Sequence, residues 1–301
     1  MARARTACWG EGWAVGDAAA DLGHGESMNS RSVIVTGAGN GLGAEIARFA
    51  SEAGWIVGVL DRDLDAASRV AASLGEQAIA LEADITDEVD VEVAFDEFAA
   101  RSGRPAPDGI VCNAGIVRFG PLLDLEASDW RAVVDVNLTG SFLTARTFAR
   151  RVIAAGMSGA IVTVTSMNGV AAGPNAGAYG ATKAGVALFT KQMALEWGPF
   201  GIRANALAPG LIDAGMSEPI YADAEIRRLR SERVPLGRLG TGADVASVAL
   251  FLLSEDAAYV NGTELLVDGG VSGSVISTLP RPQSVDSVGL GEQPPRTGGG
   301  R

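Results

Sequence analysis

Residues 36–43 read Thr36-Gly37-Ala38-Gly39-Asn40-Gly41-Leu42-Gly43. This loop follows a β-branched run at residues 32–36 and precedes a segment of helical period, residues 42–53, which ends at Gly54. Glycines let the backbone turn tightly and approach a pyrophosphate, whose charge the first N–H groups of the helix would meet. The order of strand, glycine loop and helix predicts a dinucleotide site, with these cofactor-binding residues: Gly37, Asn40, Gly41, Leu42 and Gly43.

Further along the chain, short β-branched runs alternate with longer segments of helical period. The other strand candidates are residues 56–60, 78–81, 109–112, 161–165, 202–208 and 264–267, and helices are predicted at residues 87–100 and 178–197. The strands are almost continuously apolar, which is typical of parallel strands that are covered on both faces. We predict an α/β fold, a Rossmann-type doubly wound parallel sheet of about seven strands in a single domain.

The two ends of the chain differ in composition from its middle. Residues 1–29 lack the continuous apolar stretch of a secretory signal, so we interpret them as an irregular leader. Residues 279–301 are rich in proline, glycine and serine, a composition that predicts a disordered tail. The nucleotide-binding domain is assigned to residues 30–278.

Composition excludes several classes of partner. The formal net charge of −12 disfavours binding to nucleic acid and to anionic membrane surfaces, and no uninterrupted apolar run is long enough to span a bilayer. Cys8 and Cys112 are too few and too far apart for a disulfide framework or a zinc site. We therefore expect a cytoplasmic protein that has no metal, nucleic-acid or membrane partner.

The chain contains one histidine, His24, and it lies in the leader. Ser-His hydrolysis, Cys-His chemistry and histidine-based metal sites are therefore excluded from the candidate mechanisms. Any general acid or base in the folded domain must be an aspartate, glutamate, lysine, tyrosine or cysteine.

Asp61 follows the second predicted strand, 24 residues after Gly37. A carboxylate at this position can accept hydrogen bonds from the ribose hydroxyls of the adenosine half of a dinucleotide, and it would repel a 2′-phosphate. Asn40, where a basic residue would suit a phosphate, favours the same choice. The sequence therefore predicts NAD rather than NADP.

Motifs beyond the glycine loop occur in a specific order. Asn113-Ala114-Gly115 follows the fourth strand, Asn137 lies in a Val-Asn-Leu-Thr-Gly stretch, Ser166 follows the fifth strand, and Tyr179-Gly180-Ala181-Thr182-Lys183 comes 13 residues later. Pro209-Gly210 follows strand six, and Asp268-Gly269-Gly270 follows the last strand. With this set, residues 31–271 resemble the short-chain dehydrogenase/reductase family. That resemblance implies Ser166, Tyr179, Lys183 and Asn137 as the catalytic residues.

The residues themselves support the roles of Tyr179 and Lys183. They are four apart on a predicted helix and share a face, so the ammonium group should lower the pKa of the phenol from its usual value of about 10. Ser166 lies at the carboxyl end of a strand, where open α/β sheets bind ligands, and its hydroxyl can orient the substrate oxygen. The resemblance implies that Asn137 holds a water linking Lys183 to solvent, and that Lys183 binds the nicotinamide ribose.

The resemblance also implies further cofactor contacts, made by Asp84, Ile85, Asn113, Ala114, Gly115, Pro209, Gly210 and Ile212. Asp84 has an alternative role as the cap of the helix that begins near Asp87. The family often has a threonine two residues after Ile212, but this chain has Ala214 there, so one hydroxyl contact to the nicotinamide carboxamide is missing.

The substrate side is less defined by the sequence. Residues 214–235 are predicted to fold over the substrate as a lid, with a plain surface helix as the alternative. Candidate substrate-binding residues are Ser166, Asn168, Asn175, Tyr179 and Met216. They mix polar and apolar character, so a sugar, a hydroxy acid, a steroid and an aryl alcohol all remain open.

These patterns favour an NAD-dependent oxidoreductase that interconverts a secondary alcohol and a ketone, of the general class EC 1.1.1.-. Two alternatives remain. One is a 3-oxoacyl-carrier-protein reductase using NADPH, which the overall pattern also resembles, and the other is a non-catalytic nucleotide-sensing protein on the same fold. The resemblance further implies a homo-oligomer, either a tetramer or a dimer.

Overall fold

The computed structural model describes residues 31–274. The predicted leader, the predicted tail, Cys8 and His24 lie outside the described residues. The strands are β1 Ser32–Thr36, β2 Ile56–Asp61, β3 Ala78–Glu82, β4 Gly109–Cys112, β5 Gly159–Val164, β6 Ile202–Pro209 and β7 Glu264–Val267. The helices are α1 Gly41–Glu52, α2 Leu64–Leu74, α3 Glu88–Ser102, α4 Ala127–Val134, α5 Gly140–Ala154, α6 Met167–Val170, α7 Tyr179–Trp197, α8 Glu218–Tyr221, α9 Ala224–Arg233 and α10 Gly242–Leu253.

All seven strands form one parallel sheet in the order β3-β2-β1-β4-β5-β6-β7. The strand order reverses direction between β1 and β4, which creates a crevice at the carboxyl edge of the sheet. This sheet confirms the predicted fold class and the number of strands. Every motif that follows a strand is thereby brought to the same edge.

Two hydrophobic layers cover the sheet, because successive side chains of each strand point to opposite faces. Ile34 packs with the large side chains of α3, α5 and α7, among them Phe95, Phe98 and Phe148. Val33 and Val35 pack on the other face with residues of α1 and α10. Burial on both faces explains why the strands are almost continuously apolar.

The predicted strands at residues 32–36, 109–112 and 264–267 match those observed, and the other predicted boundaries differ by at most two residues. β2 extends to Asp61 because Asp61 pairs with Glu82 in β3, and β5 begins at Gly159, which pairs with Ile202 in β6. The predicted helix at residues 87–100 begins instead at Glu88, since Asp87 is its N-cap. Within residues 31–274, no helix is both long and apolar enough to cross a membrane.

Candidate active site

The glycine loop joins β1 to α1, and steric contact explains its composition. Gly37 has a φ of +63°, and a Cβ there would lie 2.8 Å from the Cα of Ala114. A Cβ at Gly43 would lie 2.2 Å from the carbonyl oxygen of Gly37. The loop therefore folds back on itself at a spacing that only glycine permits, and the backbone N–H groups at the start of α1 face the crevice edge.

Asp61 lies beside this loop at the end of β2. Its carboxylate accepts hydrogen bonds from the backbone N–H of Gly39 at 2.9 Å and from that of Asp63 at 3.1 Å. A Cβ at Gly39 would lie 2.8 Å from a carboxylate oxygen of Asp61. Position 39 therefore also requires glycine, and its backbone N–H fixes the Asp61 carboxylate next to the candidate phosphate-binding loop.

Thr36 is a site residue that the sequence reasoning missed. Its buried hydroxyl accepts the backbone N–H groups of Asn113 and Ala114 at 3.0 and 3.1 Å. The Asn113 amide donates in turn to the carbonyls of Thr36 and Gly37 at 2.9 and 3.2 Å. A threonine directly before the glycine loop was the available signal. These bonds join the ends of β1 and β4 across the crevice.

Asp84 is exposed and lies in the turn after β3. Its carboxylate accepts the backbone N–H and the hydroxyl of Thr86, and these bonds hold the pKa of Asp84 below its usual range, with a smaller contribution from the charge of Arg62. The helix cap is Asp87, so the capping role considered for Asp84 is wrong. Ile85 is buried, and its side chain packs against the backbone of Gly140. Any contact between Ile85 and a cofactor would therefore use its main chain.

Ser166 and Tyr179 come together at the carboxyl end of β5. Ser166 caps the short helix α6, accepting the N–H of Asn168 at 3.2 Å, and its hydroxyl lies near the phenol of Tyr179. Burial raises the pKa of Tyr179, and the nearby Ser166 hydroxyl offsets only part of that rise. The expected lowering of this pKa by Lys183 is therefore wrong for the chain alone, because desolvation of the phenolate is the largest effect.

Lys183 lies one helical turn after Tyr179 and is buried. Its ammonium group donates to the carbonyl of Val164 at 2.6 Å and lies 5.6 Å from the centroid of the Tyr179 ring. Burial lowers the pKa of Lys183 to about 8. The neighbouring thiol of Cys112 has its pKa raised to about 12 by burial, so it is no candidate nucleophile. A Cβ at Gly115 would lie 3.5 Å from the Lys183 nitrogen.

Asn137 occupies a π-helical turn, Asp135–Thr139, between α4 and α5. Its fully buried side chain bonds both backbone groups of Ile116, at 2.8 and 3.0 Å, and donates to the hydroxyl of Thr182 at 3.1 Å. The backbone carbonyl oxygen of Asn137 accepts the hydroxyl of Ser141 at 2.7 Å. That Asn137 holds a water linking Lys183 to solvent stays a prediction.

The candidate substrate residues Asn168, Asn175 and Met216 lie in two segments of the chain, one after β5 and one after β6. Asn168 lies on α6, and Asn175 lies in the segment that leads into α7. With a φ of +60°, Asn175 is the only non-glycine residue from 31 to 274 that has a positive φ. The carbonyl of Asn175 accepts the N–H of Gly120 at 2.9 Å. Met216 is half-exposed and follows β6 in the chain. No described contact joins Met216 to the other two.

Pro209, Gly210 and Ile212 leave the end of β6 close to the glycine loop. Gly210 packs on Asp268, and Ile212 pairs with Gly240. The chain then reaches Ala214 and Gly215, and a Cβ at Gly41 would lie 2.8 Å from the Cα of Gly215. The segment after β6 is therefore in backbone contact with the candidate phosphate-binding loop.

The predicted lid, residues 214–235, contains α8 and α9. Asp213 pairs with Arg227 at 2.6 Å, and the Arg227 guanidinium also donates to the carbonyl of Tyr221 at 3.2 Å, so α9 is tied to the end of β6. α9 is rich in arginine, and Arg230 lies 5.6 Å from the centroid of the buried Tyr221 ring. Whether this segment closes over a substrate stays a prediction.

A nicotinamide dinucleotide suits these residues. The glycine cradle would hold the pyrophosphate, Asp61 the adenosine ribose, and Tyr179 with Lys183 the nicotinamide ribose. The cradle is too tight for side chains at Gly37 and Gly43 but open toward the crevice, as a backbone-lined phosphate site requires. Within residues 31–274, no group of three or more metal-ligating side chains occurs.

Comparison with known proteins agrees with this geometry. The family model described as enoyl-(acyl carrier protein) reductase matches residues 37–272. The chain is 39% identical to cis-4-hydroxycyclohexanecarboxylate dehydrogenase of Sinomonas cyclohexanicum over 82% of this chain and 98% of the relative.

Two solved structures are similar to the whole described domain. One is a gluconate 5-dehydrogenase from Burkholderia cenocepacia in complex with NADP and tartrate (38% identity, TM-score 0.76, 81% of this chain and 96% of that chain). The other is a 3-ketoacyl-(acyl-carrier-protein) reductase from Brucella melitensis complexed with NADH (33% identity, TM-score 0.74, 82% and 100%). With its sheet order, its glycine loop and its Ser166, Tyr179 and Lys183 cluster, this chain belongs to the short-chain dehydrogenase/reductase family of oxidoreductases.

Proposed function

We propose that the chain interconverts a secondary alcohol and a ketone by hydride transfer, with NAD as its cofactor. The observation that carries this proposal is the cluster of Ser166, Tyr179 and Lys183 at the carboxyl edge of the sheet. Its relatives include dehydrogenases of secondary alcohols, which supports the reaction class. The substrate itself stays open.

The chemistry divides between the cofactor and the chain. Nicotinamide, when bound, supplies the site that accepts or donates the hydride. Ser166 orients the substrate oxygen with its hydroxyl, and Tyr179 takes the hydroxyl proton during oxidation or returns it during reduction. Lys183 holds a positive charge near the phenol ring, and the phenolate is favoured by that charge once the site is assembled.

Substitution of Tyr179 by phenylalanine tests the catalytic assignment. Tyr179→Phe keeps the ring and its packing but removes the hydroxyl, so we expect turnover to fall by about 100-fold or more while NAD binding is retained. Turnover is measured by NADH absorbance with a panel of secondary alcohols, and binding by calorimetry. A Tyr179→Phe variant with near-normal rates contradicts the assignment. Binding of NAD without turnover by the unaltered chain across that panel would favour the nucleotide-sensing alternative.

The preference for NAD is a separate proposal. Asp61 is fixed beside the glycine loop by Gly39, in a position to repel a 2′-phosphate. Arg62 is the next residue and is exposed, and its charge acts on Asp84. The ratio of kcat/KM for NADH and NADPH tests the preference, and a higher value with NADPH contradicts it.

One observation favours the acyl-carrier-protein reductase as a second candidate. α9 carries four arginines in a chain of net negative charge, and of these Arg230 and Arg233 form no ion pair within the described residues. A basic helix beside the crevice would suit an acidic carrier protein. This candidate is tested by measuring KM for a 3-oxoacyl group attached to the carrier protein and for the same group attached to a small thiol. The candidate requires a lower KM for the carrier-bound substrate.

We also propose that the chain forms a homo-oligomer, as a tetramer or a dimer. Leu188 and Leu195 are 70% and 80% exposed on α7, and Phe142 on the neighbouring α5 is partly exposed. Apolar side chains in one region of a folded surface favour association with a second copy. Light scattering measures the mass, and a monomer at micromolar concentration contradicts the proposal.

A further inference from the structure

Thr182 is buried between two of the candidate catalytic residues. Its side chain is on the inner face of α7, and 2% of the residue is exposed. The hydroxyl accepts a hydrogen bond from the Asn137 amide at 3.1 Å and donates one to the backbone carbonyl of Tyr179 at 2.8 Å. One hydroxyl group therefore connects the π-helical turn to the first turn of the helix that carries Tyr179.

The same contacts extend to Lys183. The Asn137 amide hydrogen-bonds both backbone groups of Ile116. The preceding residue, Gly115, lies close to the same amide and to Lys183, because a Cβ at Gly115 would be 3.3 Å from the Asn137 side-chain oxygen and 3.5 Å from the Lys183 nitrogen. Thr182 immediately precedes Lys183 in the chain. An amide that rotates away from Thr182 would therefore also release the loop that covers the lysine.

We propose that Thr182 is a positioning residue of the proton-transfer site, and that its hydroxyl fixes the Asn137 amide and the Tyr179 main chain relative to each other. This inference rests on the proposed dehydrogenase function. Loss of the hydroxyl leaves one N–H of the buried Asn137 amide without its partner, and a buried donor without a partner favours rearrangement. Tyr179 would then keep its place on α7 while its alignment with Ser166 loosens.

α7 provides a matched control for a purely structural effect. Thr190 is also fully buried, donates to the carbonyl of Val186 at 2.8 Å and shares a second bond with the hydroxyl of Thr163 at 2.7 Å. Neither partner belongs to the candidate site. Thr190→Val therefore removes the same chemical group from the same helix with the same number of bonds.

The test compares Thr182→Val, Thr182→Ser and Thr190→Val in the full chain. We expect Thr182→Val to lower kcat by about 10- to 100-fold with KM values within about threefold, because misalignment affects the reacting atoms more than ground-state binding. Thr182→Ser keeps the hydroxyl and should retain most of the rate of the unaltered chain. Thr190→Val should lower the melting temperature as much as Thr182→Val does and leave kcat unchanged.

The pH profile gives a second readout that a structural role would not move. Because the nearby Ser166 hydroxyl lowers the pKa of Tyr179, a looser alignment should move the inflection of kcat/KM for alcohol oxidation to higher pH in Thr182→Val. Ultraviolet titration of the phenols, with Tyr179→Phe subtracted, measures the same shift without substrate. If Thr182→Val does not fold, Thr182→Ala replaces it under the same criteria.

The outcomes separate this inference from the proposed function. If the unaltered chain oxidises an alcohol and Thr182→Val has the same kcat and pH profile, the positioning role alone is overturned. An equal loss of kcat in Thr182→Val and Thr190→Val also overturns it, since the effect would then be one of stability. A wild-type chain that binds NAD but oxidises no alcohol in the panel overturns the proposed function, and the positioning role with it.

Discussion

The backbone N–H of Gly120 donates to the carbonyl of Asn175 at 2.9 Å, and this bond joins the loop after β4 to the segment that leads into Tyr179. Ala176, next to Asn175, pairs with Gly120 and accepts the N–H of Tyr179 at 3.0 Å. Asn175 holds a left-handed backbone to make this contact. Non-glycine residues in that conformation concentrate at functional sites, where the surrounding structure holds them in place.

Substitutions at Asn175 should separate its backbone role from its side-chain role. Alanine tolerates a positive φ less well than asparagine, so Asn175→Ala should lower the free energy of unfolding by about 1 kcal/mol, while Asn175→Gly should stay within about 0.5 kcal/mol of the unaltered chain. Urea denaturation measures both. Asn40→Ala is a suitable control, because Asn40 is exposed, has an extended backbone and makes no capping bond. Equal stability of the alanine and glycine variants would contradict the backbone role. A higher KM in Asn175→Gly would support a substrate contact.

The raised pKa of Tyr179 predicts the direction of the pH dependence. A buried phenol stays protonated at neutral pH, and the protonated form is the one that gives its proton to a ketone. We expect kcat/KM for ketone reduction to be flat near neutrality and to fall at alkaline pH, and kcat/KM for alcohol oxidation to rise over the same range. Rate profiles in both directions check this. An oxidation rate that is independent of pH from 6 to 10 would be incompatible with it.

Lys183 should make the stability of the fold rise with pH. Its pKa is about 8 in the folded chain against 10.5 for an ordinary lysine, so between these values the unfolded chain binds more protons and the folded chain gains stability as pH rises. Relative to Lys183→Met, the unaltered chain should gain up to about 2 kcal/mol between pH 7 and 10.

Denaturation of both proteins at the two pH values measures this difference. The raised pKa of Cys112 acts in the opposite direction but is present in both chains. Lys191→Met on the same helix is the control, because Lys191 is exposed. A stability difference between the unaltered chain and Lys183→Met that does not change with pH would show that burial leaves the lysine charge unaffected.

Replacing Asp61 should change the cofactor preference. Asp61→Ser removes the negative charge beside Gly39 and with it the repulsion of a 2′-phosphate, so we expect kcat/KM to fall with NAD and to rise with NADP. Asp63→Ser is the matched control. It removes the same charge two residues away, and serine can still cap α2 as Asp63 does through its bond with Ala66. A change of the same size in both variants would mean that overall charge, and not the position of Asp61, sets the preference.

The sequence is sufficient to predict the sheet and most of the chemistry at its edge. Strands buried on both faces are recognisable as apolar runs, and glycines such as Gly37 and Gly43 have a steric requirement that is local in the chain. Tyr179 and Lys183 are also local, since four residues on a helix determine that they share a face. The seven strands and the shared face of Tyr179 and Lys183 follow from such short-range patterns.

The relationships that the sequence does not predict depend on distant contacts. The pKa of Tyr179 depends on burial by several elements, which a pair spacing cannot measure, so the expected lowering failed. The partner of Asn137, Thr182, lies 45 residues away, and the partner of Thr36, Asn113, lies 77 away. Asp84 and Asp87 are both suitable helix caps by residue type, and only the backbone geometry of the turn between them shows that Asp87 is the cap.

The contact between Gly41 and Gly215 limits how this protein can be engineered. A Cβ at residue 41 would lie 2.8 Å from the Cα of Gly215, and residue 215 has a φ of +57°, so a library that varies the substrate segment should leave residue 215 fixed. Two glycines 174 positions apart then act as a single design constraint. Larger loops borrowed from relatives should be inserted after Gly215, where the lid can change without displacing the backbone next to the cofactor cradle.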